Sequence, residues 1–180
     1  MRFKELELPG LCLLELSALS DERGFFARTF CVREFAEHGL TTDFPQCNLS
    51  RNTFAHTLRG LHYDALPSDE SKLVRCVAGA IWDVAVDLRP DSKTLHRWIA
   101  VELTAARGEA LFIPPGFAHG FLTLVDATDV FYHMGASYRP ESARGARWND
   151  ALFGIQWPAA PRVISERDAG YPDFGSERLP

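Results

Sequence analysis

Lys72-Leu73-Val74-Arg75-Cys76-Val77-Ala78-Gly79-Ala80-Ile81-Trp82-Asp83-Val84-Ala85-Val86-Asp87-Leu88 carries the strongest structural signal in the chain. Trp82, Val84, Val86 and Leu88 alternate with Ile81, Asp83, Ala85 and Asp87, the period of two that a β-strand imposes. Working outward, residues 98–103, 110–113, 121–125 and 130–134 read as four more short strands, several set apart by Gly and Pro. On the N-terminal side, residues 8–16 form an apolar run that starts at a Pro-Gly turn. Asp21-Glu22-Arg23-Gly24 is a turn feeding a strand over 25–31. Residues 32–38 have short helical character and stop at Gly39. Many short strands, little helix and no βαβ rhythm predict an all-β barrel or sandwich with a few short peripheral helices.

The whole chain bounds the function classes. At 180 residues it is read as one domain, 1–180, long enough to bury one sizeable core. Nineteen Lys and Arg against 24 Asp and Glu give a net charge of −5, which argues against a general nucleic-acid or membrane-surface binder. No apolar run approaches the ~20 residues of a membrane span, and the N-terminus lacks the shape of a signal peptide. Cys12, Cys31, Cys47 and Cys76 show no paired spacing. Free thiols in a cytoplasmic protein are the simplest account.

Just upstream of the opening stretch lies Leu58-Arg59-Gly60-Leu61-His62-Tyr63, with Lys72 ten positions beyond His62. A His near its ordinary pKa of about 6.5 can exchange a proton at neutral pH. An Arg and a Lys nearby suit a phosphate or an oxyanion. The same pattern also reads as a strand with one buried, hydrogen-bonded His. Strict alternation puts Arg59 on the face opposite His62, unless Gly60 permits a bulge. Gln46, Asn48, Ser50 and Asn52 alternate within residues 41–54, as a polar binding edge or a solvated loop.

A second marker is Gly108, five residues, Pro114, one residue, Gly116, two residues, His119. It resembles the second motif of the cupin superfamily, small jelly-roll barrels, with Thr123 in place of the usual closing Asn. Further stretches follow in order: Asp21 to Phe26, Leu58 to Tyr63, Lys72-Leu73-Val74, Asp83 to Asp87, Ile113 to Phe121, Tyr132 with Tyr138, Trp148-Asn149-Asp150 and Ser165 to Asp168. Over nearly its whole length the chain resembles the dTDP-4-dehydrorhamnose 3,5-epimerase family of metal-free cupins.

The resemblance implies a role for each position. His62 resembles the family's catalytic base, oriented by Asp168, with Tyr132 the opposing proton donor. Lys72 stabilises the enolate oxygen with His119 beside it. Arg23 and Arg59 resemble pyrophosphate contacts, Gln46 and Asn48 nucleotide contacts, and Tyr138 the ring that stacks on thymine. Arg167 lies in the matched Ser165 to Asp168 stretch. From pattern alone, Tyr132 reads as core and Asp168 as part of a solvated tail. No metal centre and no cofactor are expected, since His62, His119 and Glu70 make a thin ligand set. The implied partner is a small nucleotide-sugar, with the enzyme a cytoplasmic homodimer.

Three positions depart from the family pattern: Arg28 for Glu, His56 for Gly and Asp64 for Gln. All flank substrate-facing segments, Arg28 is itself read as a substrate contact, and the proton-transfer set is intact. Relatives that invert a single carbon, or a non-catalytic sugar-nucleotide-binding cupin, are the competing readings.

Overall fold

The computed structural model describes residues 1–175. The chain runs β1 (Arg2–Glu5), β2 (Cys12–Glu15), β3 (Leu19–Asp21), β4 (Gly24–Phe26) and α1 (Val32–Glu37). Strands β5 (Gln46–Asn52), β6 (Leu58–Asp64), β7 (Lys72–Ala78), β8 (Ala80–Asp87) and β9 (Trp98–Thr104) follow. Next come β10 (Ala110–Ile113), β11 (Phe117–Thr123), β12 (Thr128–Met134), β13 (Ala143–Gly145) and α2 (Glu166–Ala169).

Two antiparallel sheets, ordered β1-β2-β10-β7-β12-β5 and β13-β6-β11-β8-β9, form the jelly-roll sandwich that the motif order implied. The opening stretch supplies one central strand to each sheet, β7 and β8, joined at Gly79. Val74, Cys76, Leu111 and Val130 of one sheet pack on Ile81, Ala85, Phe117 and Phe121 of the other, all buried. The outer faces are covered too. Phe35 of α1 is fully buried against Leu14, Leu73 and Phe112, contributing roughly 1.5–3 kcal/mol by burial. On the other sheet, Phe153 and Ile155 pack over Leu61, Val84 and Val86. Double coverage explains why β8 reads as an almost continuous apolar run. No helix among the described residues is long and apolar enough to cross a membrane.

Several elements differ from the sequence reading. The strand expected over 25–31 ends at Phe26, in a two-stranded hairpin apart from both large sheets. Residues 46–52 are a strand, with Gln46, Asn48, Ser50 and Asn52 on its less exposed side. Strand β11 begins at Phe117, four residues before the expected start, because Gly116 turns the chain directly into it at φ +84°. Thr123 closes the motif by stitching, since its buried hydroxyl accepts from Thr57 N–H and donates to the Phe54 carbonyl. His56 sits at φ +58°, a left-handed backbone that costs a non-Gly residue roughly 1–2 kcal/mol. Its backbone is tied at both ends, to the Thr123 carbonyl and the Arg162 N–H, which offsets that cost.

Candidate active site

A cavity of about 510 Å³ opens between the two sheets. Strands β6 and β11 contribute Arg59, His62 and His119 to it, while β5, β7 and β12 contribute Gln46, Asn48, Lys72 and Tyr132. Base and donor candidates therefore come from opposite walls.

His62 and His119 are register partners on neighbouring strands, and each is backed by a carboxylate. Nε2 of His62 lies 2.9 Å from Asp168 Oδ1, and Nε2 of His119 lies 2.7 Å from Asp83 Oδ1. Arg167 Nη2, itself a donor, is 3.3 Å from the same His62 nitrogen. The ionised Asp168 can only accept, so His62 Nε2–H donates to it, Nδ1 keeps the lone pair, and Arg167 Nη2 makes no bond to Nε2.

Asp168 is buried within α2, whose N-cap Ser165 accepts from the Asp168 N–H at 3.1 Å. Its second oxygen accepts from Gly60 N–H at 3.0 Å. Burial raises the carboxyl's pKa, but the His62 bond and charge, the Gly60 N–H and Arg167 outweigh it and hold it at about 2. A depressed pKa contributes stability above the unfolded value, lost as pH falls through the folded one. From an ordinary aspartate value of 3.8, the window runs from about 4 down to about 2. Asp168→Asn is expected to lose ~2 kcal/mol of unfolding free energy at pH 6. Denaturant titrations should show that deficit shrinking below pH 4, and a deficit unchanged down to pH 3 would contradict the assignment.

Arg59 reaches the cavity despite its alternation. Gly60 adopts φ +121°, and the β6–β11 register shifts between His119 and Phe121. A Cβ on Gly60 would lie 2.6 Å from the Gly120 Cα and 2.8 Å from the His119 carbonyl oxygen, so only glycine fits. Arg59 Nε then donates to the neutral Asn52 side chain at 2.7 Å, with no carboxylate paired to it among the described residues. Its full charge is left for an anion.

Lys72, nearly buried, pairs with Glu70 at 3.0 Å. Tyr132 packs partly buried against the inter-sheet core and also lines the cavity, and burial raises its phenol pKa, Arg59 opposing and Glu70 adding to the shift. Gln46 donates to Asn48 at 3.1 Å and accepts from the backbone N–H of Tyr138, whose ring is exposed at the mouth.

Two expected substrate contacts do not line this chain's cavity, and Asp168 stands behind His62. Arg23, at the β3–β4 turn, pairs with Asp21. Arg28 pairs at 2.8 Å with Glu34, which also takes the Met1 ammonium, and its exposed guanidinium lies away from the cavity. The sequence reading in turn missed Asp83, Tyr171 and Arg139. Asp83 was readable as an acid inside an apolar strand, since a fully buried carboxylate needs a partner. Tyr171 packs edge-on to His62 and over Gly145, where a Cβ would meet its ring.

The arrangement can remove a proton from one face of a bound molecule, stabilise an oxyanion and deliver a proton from the other face. The family profile described as dTDP-4-dehydrorhamnose 3,5-epimerase matches residues 5–176. The enzyme of that name from Shigella flexneri is 40% identical over 169 residues, 93% of each chain. The crystal structure of dTDP-4-dehydrorhamnose 3,5-epimerase from Elizabethkingia anophelis superposes with a TM-score of 0.92 at 33% identity, covering 99% of both chains. A 3'-monoepimerase from Streptomyces bikiniensis, in complex with dTDP-quinovose, gives 0.84 at 32% identity over 93% of this chain and 85% of its own. With profile, sequence and fold in agreement over nearly its full length, the chain belongs to the dTDP-4-dehydrorhamnose 3,5-epimerase family.

Proposed function

We propose that this protein epimerises a dTDP-4-keto-6-deoxyhexose at C3, C5 or both. One observation carries the reading: the His62–Asp168 pair on one sheet faces the cavity that Tyr132 and Lys72 line from the other. His62 Nδ1 takes the proton from the carbon next to the ketone, and Asp168 stabilises the imidazolium that forms. The electron pair moves onto the ketone oxygen, where Lys72 and His119 hold the developing charge. Tyr132 O–H returns a proton to the opposite face and the carbonyl re-forms. Arg59 holds pyrophosphate, and Tyr138 stacks on the nucleotide base.

A second reading, inversion of a single carbon, is favoured by the likeness to the Streptomyces bikiniensis 3'-monoepimerase. Incubation with dTDP-4-keto-6-deoxyglucose in deuterated water separates the two. Deuterium at C3 and C5 is expected for the double epimerase and at one carbon for the single. No incorporation at either carbon would sink both.

The assembly in this reading is a homodimer. Leu19, Phe25 and Phe26 of the β3–β4 hairpin are 73%, 59% and 74% exposed, an apolar tip that a second copy would cover. The free thiols Cys12, Cys31, Cys47 and Cys76 suit the reducing cytoplasm.

A further inference from the structure

Asp64 stands where the resemblance would place Gln, and the fold gives its charge a specific task. Its side chain, 7% exposed on the cavity wall, accepts from Arg139 Nη2 at 2.7 Å. The same guanidinium also binds Asp69, in the loop that joins β6 to Lys72. One positive charge against two carboxylates leaves the trio at −1, so Arg139 has no spare charge for a phosphate. That distinguishes it from Arg59, whose side-chain partner is a neutral amide.

Arg139 follows Tyr138 directly. The chain after Arg139 is already fixed by backbone bonds, since its carbonyl accepts from Ser142 and Ala143, and Ala65 N–H donates to the Ser142 carbonyl. On the other side, Tyr138 has its backbone N–H on Gln46. The aromatic platform therefore hangs between a bond to Gln46 and the ion pairs of Arg139.

We propose that Arg139 is a positioning residue for nucleotide recognition, clamped by Asp64 and Asp69 so that the neighbouring Tyr138 ring is held ready for the base. This rests on the reading that Tyr138 meets the nucleotide base. A preset platform binds more tightly because less conformational freedom is lost on association. The buried Asp64 contact is the stronger limb, while the Asp69 carboxylate, 70% exposed, is screened by solvent.

The sign of one effect separates a clamp from a phosphate contact. Asp64→Asn/Asp69→Asn frees the guanidinium without leaving a buried charge unpaired, and Arg139→Ala removes it. Binding of dTDP and of thymidine to wild type and both variants is measured calorimetrically, with circular dichroism to confirm folding. A clamp predicts that both variants weaken both ligands by at least about fivefold, part of what base stacking contributes. KM for the sugar nucleotide should rise in step while kcat stays within about threefold. Tighter dTDP binding by Asp64→Asn/Asp69→Asn would overturn the proposal, because a freed arginine is then an anion contact. A loss for dTDP but not thymidine would overturn it equally, as would affinities within about twofold of wild type throughout. If wild type binds neither ligand, the nucleotide reading of the site is what fails.

Discussion

His62→Ala is expected to abolish deuterium exchange at the sugar while leaving the fold intact. The expected loss is about 10²–10⁴-fold, the range a general base contributes. The geometry behind this is directional. Asp168 occupies Nε2, so the proton must arrive at Nδ1. His119, the second imidazole on the cavity, has its Nε2 on Asp83 and is assigned to the oxygen rather than to the proton. The side chain of His62 is about one-third exposed, so truncation opens no sealed core cavity. His62→Asn keeps a polar side chain of similar reach and tests the same step without the ring. Matching far-UV circular dichroism and unfolding midpoints establish that each variant is folded. A folded variant that retains more than about a tenth of wild-type exchange would remove His62 from the role of base.

What could be read from the sequence follows from where each signal lives. Strands β7 and β8 were legible because the apolar, β-compatible pattern over 72–88 is a local property and both strands are paired on either side. Strand β5 was ambiguous because a strand facing a wet cavity and a solvated loop share one polar pattern. The first half of β11 was hidden by its composition. Ala118 and Gly120 carry little strand propensity, and burial between β6 and β8 decides the matter instead. Among site residues, His62, His119, Lys72 and Tyr132 came from motifs within single strands. Asp168 was harder, since its four-residue helix owes its burial to contacts more than 100 positions away. Arg59 required knowing that Gly60 shifts the register. The Asp64–Arg139 pair, 75 positions apart, leaves no local trace in either segment.

Tyr132→Phe is expected to split the reaction, because it deletes one hydroxyl and leaves the base untouched. Epimerised product should fall by about 10²–10⁴-fold, the contribution of a positioned acid. Deuterium wash-in should survive far better, since His62 can still remove the proton and Lys72 can still stabilise the enolate. With no donor on the far wall, the enolate recaptures deuterium from the face it left. The recovered substrate should therefore be labelled yet unchanged in configuration, a signature that mass spectrometry and proton NMR read together. Burial raises the wild-type phenol's pKa, and the Glu70 carboxylate adds to the shift against the opposing Arg59, so the hydroxyl carries its proton at neutral pH. A raised pKa means that the protonated donor persists through neutral pH and is lost only on the alkaline side. Loss of the hydroxyl leaves the ring's packing on β12 in place, so stability should change little. If wash-in and epimerisation instead drop together to background, Tyr132 also supports proton removal. The division of labour between the two sheets, base on β6 and acid on β12, would then have to be redrawn.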